Sequence, residues 1–461
     1  MATADGGSAV NRNLTSIVAW LAGSDPASLP EPTRRSLRYS LLDTVAVAWA
    51  ARRSEGMRAV SALTEADGGS PRSLLWNGSG LRVPPAAAAF HNGSYAAALD
   101  FDSLNPYASH IDAVVIPAAL AVAELVHASG AALMAAIAAG SELAYRLAHA
   151  GQAPGGWFRT SVYGVFGAAA AAARLLGLDA RGTAAALGIA LGQVAGTQQG
   201  HIERALSKRL LSAFAARAGV QSALLAQAGI TGPHETFEGR HGLFALYGSH
   251  DPARVLAGLG RVYLLEQTTY KHYPACGRAH AAIEAAVQLA NRAGPGCLDT
   301  KTIVRVELTI TEEMHALVGA PYSTDANAEV TGQFCAQYAV AAALHYGVFG
   351  VAQITPAAVF DPALQPLIER VVVRKEGVGT MAPATLRLQF TDGKTTGITV
   401  SRLPGSSADG SIDEHAVRAK AAAALVEGLD IGHARARELV DHLLAVEDVP
   451  DVADLFDAFT H

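Results

Sequence analysis

The sequence predicts a mainly α protein, with a large all-helical domain and a smaller α+β lid domain. From about Leu14 to Leu265, apolar residues recur at helical spacing with few β-branched clusters. After about Thr268, short β-branched or alternating runs appear between turn residues. The chain has 461 residues, which is more than one small core normally organises, so its size favours two or more domains.

The first half of the chain carries the helical pattern. Examples are the apolar sets Leu37-Leu41-Leu42-Val45 and Ile137-Leu143-Leu147. These segments are rich in alanine and often apolar on every face, which is typical of buried helices. Pro117, Gly130, Gly140, Gly177 and Gly258 are predicted to separate them.

Four later segments read as strands, at residues 303–311, 370–374, 384–391 and 395–401. Residues 283–291 and 334–345 between them read as helices. Helical pattern returns at residues 412–425 and 433–446, after a Gly405-Ser406-Ser407 linker. We therefore expect a helical domain from residues 1–267, an α+β lid from 268–405, and C-terminal helices, 406–461, that rejoin the helical domain.

Composition excludes several classes of function. The net charge is −6 and there is no basic stripe, which argues against a nucleic-acid partner. No stretch has about 18 uninterrupted apolar residues, which argues against a membrane span, and the N-terminus lacks a signal-peptide pattern. Three cysteines without a CxxC pair fit a reducing compartment and make structural zinc improbable, so we expect a cytoplasmic protein. Nucleotide-binding and metalloprotease motifs are absent from the sequence.

Three polar islands interrupt this apolar background, in which only 16% of residues are charged. They are Lys271 to His280 (KHYPACGRAH), Asp100 to His110 (DFDSLNPYASH) and Ser207 to Gly219 (SKRLLSAFAARAG). Together they supply lysines, arginines, a thiol and imidazoles. A site for an anionic substrate needs only a few such local cations, whatever the net charge of the chain.

In order along the chain, the islands and the segments between them resemble the MmgE/PrpD family. The matching segments are Asp100-Phe101-Asp102 with His110, Val114-Val115-Ile116-Pro117, Gly164-x-x-Gly167 with Arg174-Leu175-Leu176-Gly177-Leu178-Asp179, Lys208 with Gly219, Gly229 and Phe237-Glu238-Gly239, and Lys271-x-Tyr273-Pro274-x-Cys276 with His280. Each motif is weak alone, and the ordered set covers nearly the whole chain.

The resemblance implies a helical domain, an α+β lid, a homodimer, and an active site between the domains that needs no metal or cofactor. Family chemistry removes a proton next to a carboxylate and continues by elimination, decarboxylation or reprotonation. The family positions that line the site correspond to Asp100, His110, Lys208, Lys271 and Tyr322.

Three positions depart from the decarboxylase branch of the family. Leu104 stands where that branch has threonine, Phe158 where it has histidine, and Cys276 where it has a second histidine. These changes remove polar or protonatable groups and point to a substrate more apolar than citrate derivatives. We count Leu104 and Phe158 among the substrate-binding positions.

Elementary chemistry gives the islands roles without the family. Removal of a proton from carbon next to a carboxylate needs a base and fixed positive charge where negative charge develops. His110 suits the base, because imidazole changes charge near neutral pH, and Asp100 could orient its ring. Lys208 and Lys271 suit the positive charge, although a solvated basic face beside Arg209 is an alternative for Lys208.

The remaining candidates each have a structural alternative. Cys276 is either an acid or base or a small buried hydrophobe. Arg278 either clamps a substrate carboxylate or forms an interdomain ion pair. His280 is either a substrate contact or a packed helix-start residue, and Asp102 is expected to cap a turn.

We expect a lyase that acts on a small di- or tricarboxylate, as a dehydratase or decarboxylase. One alternative is an epimerase of an iminodisuccinate-like substrate, which needs only two protonatable groups on opposite faces. The other is a non-catalytic carboxylate-binding scaffold. Retention of Asp100, His110, Lys208 and Lys271 argues against a scaffold, and Leu104 and Phe158 argue for it.

Overall fold

A computed structural model describes residues 12–23, 28–152, 155–292, 294, 298–403 and 412–459. It confirms the predicted mainly α fold with a smaller α+β region. The helices of the first part are α1 (Arg12–Gly23), α2 (Glu31–Ala50), α3 (Met57–Ala66), α4 (Pro85–Ala98), α5 (Asp112–Val126), α6 (Gly130–Ala150), α7 (Arg159–Leu175), α8 (Ala180–Leu191), α9 (Gln199–Ile202), α10 (Leu210–Gln227), α11 (Leu243–Leu246) and α12 (Pro252–Leu256). Two short antiparallel pairs also lie in this part. One is formed by neighbouring segments, β1 (Ser73–Leu74) and β2 (Arg82–Val83), and the other by remote segments, β3 (Gly151–Gln152) and β4 (Ser249–His250).

Local sequence explains where several helices begin. Ser129 accepts a hydrogen bond from the Ala132 amide at the start of α6, and Asp179 accepts one from the Gly182 amide at the start of α8. Such N-caps satisfy amides that have no partner within the helix. Pro85 opens α4, where its missing N–H costs nothing.

The centre of the helical region is α7, which packs against α5, α6 and α10. Every residue from Thr160 to Ala173 is buried, as the all-round apolar pattern predicts. Small residues allow this close packing, since a Cβ atom on Gly219 of α10 would overlap Ala168 of α7.

Two predicted helix boundaries are wrong. Pro117 lies inside α5, and Gly140 lies inside α6. Gly140 is needed for packing, because a Cβ atom there would meet the Gly167 carbonyl of α7. Glycine predicts a helix end poorly here, because a buried glycine can also mark a close contact between two helices.

The α+β region contains a four-stranded sheet in the order β6-β5-β7-β8. Its strands are β5 (Ile303–Ile310), β6 (Val371–Lys375), β7 (Ala384–Phe390) and β8 (Thr395–Val400). β5 pairs with β6 in parallel and with β7 antiparallel, and β7 pairs antiparallel with β8. The helices of this region are α13 (His280–Asn291), α14 (Glu312–Val318), α15 (Ala328–Phe334), α16 (Ala336–Tyr346), α17 (Pro356–Val359) and α18 (Gln365–Arg370).

The last two helices, α19 (Glu414–Leu429) and α20 (His433–Leu444), pack against α2 in the helical region. Beyond them, Phe459 stacks on Trp49 with ring centroids 5.5 Å apart, and Phe456 lies 5.7 Å from Trp76. The predicted linker at Gly405 lies outside the described residues, so the domain limits at 267 and 405 stay predictions.

One helix in the described part of the chain, α6, is long and apolar enough to cross a membrane by length and composition alone. Its most apolar window is 89% buried inside the protein. It therefore has the surroundings of a core helix.

Candidate active site

A short backbone bridge joins two of the polar islands. The Leu104 amide donates to the Thr269 carbonyl oxygen at 2.8 Å, and the Thr269 amide donates back to the Leu104 carbonyl oxygen at 2.7 Å. The loop that follows α4 is thereby held against the loop that precedes α13. This long-range pairing brings Asp100 next to Lys271.

Asp100 is the centre of the resulting charged cluster. Its carboxylate lies 2.8 Å from Lys208 Nζ and 3.0 Å from Lys271 Nζ. Lys271 also donates to the Asp100 main-chain oxygen at 2.7 Å. Asp100 has a φ of 50°, so the chain turns sharply just after α4. Such left-handed backbone is uncommon outside glycine and often marks functional sites.

The three charges hold one another in the ionised state. Burial by itself would raise the pKa of Asp100, but Lys208 and Lys271 hold it well below its usual value. Burial also opposes the charge on Lys271, yet the carboxylates of Asp100 and Asp102 outweigh it and raise the pKa of that lysine. For Lys208, burial prevails and lowers the pKa, which makes its ammonium the more acidic of the two.

His110 follows in the same loop and is held at one nitrogen. Its Nδ1 atom lies 3.1 Å from the Ser103 carbonyl oxygen and 3.0 Å from Asp102 Oδ2. Both oxygens are acceptors, so Nδ1 carries the hydrogen and Nε2 keeps the lone pair. The hydrogen-bond geometry favours the Ser103 carbonyl, so Asp102 acts on the ring mainly through its charge.

This geometry corrects the role predicted for Asp100 as the residue that orients the His110 ring. Asp102, expected only to cap a turn, lies at the ring, while Asp100 is engaged with the two lysines. Burial by itself would raise the pKa of the Asp102 carboxyl, but His110 and Lys271 together lower it.

Aromatic rings form one wall of the cluster. Phe158, just before α7, stacks against His110 with centroids 6.4 Å apart and lies 5.0 Å from His201. His201 in turn meets Phe334 edge-on at 5.5 Å, and Lys208 Nζ lies 4.6 Å from the Phe334 ring centre. The position predicted to have lost a histidine is thus in contact with two other histidines.

Cys276 and His280 are both buried in the loop that carries Lys271. Burial, reinforced by the charge of Asp100, raises the pKa of the Cys276 thiol, which argues against its use as a base. Burial and the neighbouring Lys271 lower the pKa of His280 to about 3, so its ring is neutral. His280 opens α13, and its Nε2 atom lies 3.2 Å from the Ala275 carbonyl oxygen, which fits the structural alternative.

Arg278 and Tyr322 are engaged within the lid. Arg278 donates to the Glu313 carbonyl oxygen at 2.7 Å, and no ion pair of Arg278 is found among the described residues. Its role as a carboxylate clamp stays a prediction. The Tyr322 hydroxyl donates to the Val359 carbonyl oxygen at 2.8 Å and accepts from Gln365 at 3.1 Å. To donate to a substrate, the Tyr322 hydroxyl would have to leave Val359, whereas Arg278 keeps further N–H donors beside the one that Glu313 accepts.

A cleft of about 1020 Å³ adjoins the cluster and shares Leu104 and Lys271 with it. Met381 of the lid and Lys420 of α19 also line it. Lys420 Nζ lies 2.6 Å from buried Asp43 of α2, and burial raises the pKa of that carboxyl to about 6. Sequence reasoning missed this pair, which joins residues far apart in the chain. Within the described ranges, no group of three or more His, Cys, Asp or Glu side chains is placed to hold a metal ion.

His201 is a second residue that sequence reasoning passed over, because it stands among dispersed histidines without ligand spacing. Its position seven residues before Lys208 was the available signal.

Two family models match successive parts of the chain. The family model described as the MmgE/PrpD N-terminal domain matches residues 15–256, and that of the MmgE/PrpD C-terminal domain matches residues 273–445. A cis-aconitate decarboxylase-like protein of Aspergillus oryzae is 28% identical over 95% of this chain and 95% of its own length. Human cis-aconitate decarboxylase is 28% identical over 73% of this chain and 71% of its own. The cis-aconitate decarboxylase of Aspergillus terreus is 28% identical over 60% of each.

Proposed function

From the premise that the chain belongs to the MmgE/PrpD family and is a lyase-type enzyme of its dehydratase and decarboxylase kind, we propose that it removes a proton next to a carboxylate of a small di- or tricarboxylate. The observation that carries this proposal is the buried carboxylate of Asp100 between Lys208 and Lys271, in the same loop as His110. Buried charges need partners, and here two ammonium groups share direct contact with a single carboxylate, so each keeps N–H donors for a ligand.

His110 is the base in this proposal. Its Nδ1–H is held by the Ser103 carbonyl, so the lone pair of Nε2 is available to accept a proton from carbon. The nearby carboxylate of Asp102 stabilises the imidazolium that this transfer creates.

The two lysines stabilise the charge that develops on the substrate. When the C–H bond breaks, its electron pair moves towards the adjacent carboxylate, whose oxygens gain negative charge. Lys271, with its raised pKa, acts as a fixed cation, and Lys208, with its lowered pKa, is the better proton donor. In dehydration that proton would go to the leaving hydroxyl, which departs as water when its C–O bond breaks.

Access to the cluster requires movement, because its side chains are closed off. The side chains of Asp100, Lys208 and Lys271 are only 10%, 3% and 0% exposed, and that of His110 is 16% exposed. We expect the loop that bears Lys271 and helix α15, which ends at Phe334, to open away from the helical region. Burial then serves the chemistry, since excluding water strengthens charge interactions.

Proton transfer without bond cleavage is the second candidate. A buried thiol that keeps its proton can return a proton to carbon, and Cys276 is such a group. It is close enough to Lys271 for the ammonium to stabilise the thiolate that this transfer leaves. An epimerase would use His110 and Cys276 in this way.

Proton NMR in deuterated buffer tests the proposal, with cis-aconitate, 2-methylcitrate, isocitrate and iminodisuccinate as substrates. We expect a new vinyl or decarboxylated product, and a loss of turnover of at least about 10³-fold in Lys271→Ala. Lys394→Ala is the matched control, because Lys394 is 82% exposed and pairs only with Asp392 among the described residues. Deuterium uptake with inversion and no new carbon skeleton would establish the epimerase. If none of the four substrates exchanges above the Lys271→Ala level, the proposal fails for this class.

A further inference from the structure

His201 is fixed in place beside the charged cluster. It lies in the short helix α9, whose Gly200 carbonyl oxygen accepts from the Ala205 amide at 2.9 Å. The Ala205 carbonyl oxygen in turn accepts from the Lys208 amide at 3.2 Å. Three residues after His201, Arg204 has a φ of 52° and donates to the carbonyl oxygens of Ala320 and Pro321 at 2.9 and 3.2 Å. These contacts tie the helix to the lid on one side and to Lys208 on the other.

The surroundings of the ring place it within the site. Its contacts are Phe158, which also stacks on His110, and Phe334, which also lies under Lys208. Burial, together with the charges of Lys208, His110 and Lys271, lowers the pKa of His201 to about 3, and the charge of Asp100 opposes this shift. The imidazole is therefore neutral near neutral pH.

The ring is nevertheless incompletely bonded. His201 is 8% exposed, and its Nδ1 atom is buried without a hydrogen-bond partner among the described residues. Buried polar atoms nearly always have a partner in native structures, and an exception calls for an explanation. A purely structural ring between two phenylalanines would be better served by a third apolar side chain.

We propose that His201 is a substrate-contacting residue, whose neutral imidazole hydrogen-bonds an uncharged polar group of the substrate, such as a hydroxyl. This inference rests on the proposed function and adds a feature of the substrate to it. The two lysines already provide positive charge for the carboxylates of the substrate. A neutral imidazole offers one hydrogen-bond donor and one acceptor, which a hydroxyl group can match. A hydroxy-acid therefore fits the site better than a substrate whose only polar groups are carboxylates.

Three substitutions separate this role from packing. His201→Phe keeps the ring shape and removes both nitrogens, whereas His201→Asn and His201→Gln each keep an amide that can hydrogen-bond. We expect kcat/KM of His201→Phe to fall roughly 10²-fold for the preferred hydroxy-acid, with the melting temperature unchanged or higher. One of the two amide variants should recover part of that loss.

His91→Phe is the matched control. His91 is also buried, but its nitrogens lie 3.0 Å from the Ser61 hydroxyl and 2.9 Å from the Asn92 side chain. Its replacement should lower the melting temperature and leave kcat/KM of the folded enzyme unchanged. The opposite pattern for His201 distinguishes a site residue from a core residue.

Two outcomes overturn the inference. In the first, the wild type turns over a hydroxy-acid and His201→Phe does so with the same kcat/KM. The proposed function would then stand, and the contact from His201 would not. The second outcome applies if no substrate of the panel is turned over and the proposed function fails. In that case the histidine ¹⁵N resonances are followed during titration with isocitrate. The His201 signal is assigned by its absence in His201→Phe. A His201 signal that moves on binding supports the contact, and one that stays fixed overturns it.

Discussion

At the residue scale, the buried carboxylate of Asp100 holds the charged cluster together. It neutralises one of two buried lysines and fixes the position of both. Ion pairs of this kind contribute little net stability compared with an apolar core, but removing one partner leaves the other charges buried and unpaired.

We expect Asp100→Asn to lower the free energy of unfolding by about 3–5 kcal/mol, because both ammonium groups would lose their carboxylate. Chemical denaturation followed by circular dichroism measures this change. The control is Asp392→Asn in the surface pair with Lys394, which should leave the denaturation midpoint unchanged. Equal midpoints for Asp100→Asn and the wild type would show that the lysines do not depend on Asp100.

Two carboxylates only two positions apart have different roles, which no residue-scale rule could assign. Asp100 binds the lysines and Asp102 faces His110, because the chain turns at a positive φ between α4 and the loop. The sequence identified Lys208, Lys271 and His110 as candidates, but it assigned Asp100 to the His110 ring and gave Asp102 only a structural role.

At the scale of elements, the contact between α7 and α10 depends on the absence of a side chain. Gly219 of α10 faces Ala168 and the backbone of α7 so closely that a methyl group has no room. This contact holds α10 and, through it, the preceding turn with Lys208.

Gly219→Ala should destabilise the protein by about 1–3 kcal/mol, since the helices must move apart to admit the methyl group. The melting temperature, measured by thermal denaturation, and the turnover rate should both fall. Gly192→Ala provides the comparison, because Gly192 is in helical backbone and a methyl group there has only the Ile189 carbonyl oxygen near it, at 3.5 Å. A Gly219→Ala variant as stable as Gly192→Ala would contradict the tight contact.

Glu124 of α5 accepts a hydrogen bond from the Leu74 amide of β1, and its burial predicts a pH effect on stability. Burial raises the pKa of Glu124 from its usual 4.5 to about 7, although the Leu74 amide and Arg82 oppose the shift. Between those two values the folded protein holds a proton that the unfolded chain releases, so stability falls as pH rises through this window and levels off above it. The size of the effect is on the order of 3 kcal/mol.

Glu124→Gln should remove this dependence of stability on pH. The glutamine side chain can still accept a hydrogen bond from the Leu74 amide, but it cannot ionise. The free energy of unfolding, measured from pH 4.5 to 8 for both proteins, gives the difference. Parallel profiles would mean that Glu124 ionises normally in the folded protein.

At the scale of the whole molecule, the end of the chain completes the helical region. The rings of Phe456 and Phe459 cover Trp76 and Trp49, which come from the first part of the chain. A fold closed by its own C-terminal segment has strongly non-local contacts, so we expect it to unfold as one unit with that segment.

Phe456→Ala should cost about 3–5 kcal/mol and expose Trp76 to solvent, since Phe456 is 1% exposed. Tryptophan fluorescence and thermal denaturation measure both effects. Phe360→Ala in the lid is the control, because Phe360 is 37% exposed and its loss should be nearly neutral. An unchanged fluorescence spectrum in Phe456→Ala would show that the C-terminal segment is not part of this core.

The sequence by itself determined the fold class, the positions of the four sheet strands and the three polar islands. These properties follow from periodicity and local residue type, which each segment carries on its own. Only the tertiary structure decided that Asp102 faces His110, that His201 joins the site, and that Lys420 pairs with Asp43. Each of these contacts joins groups whose distance is set by a turn or by packing between remote segments, and the pattern of a single segment does not contain that distance.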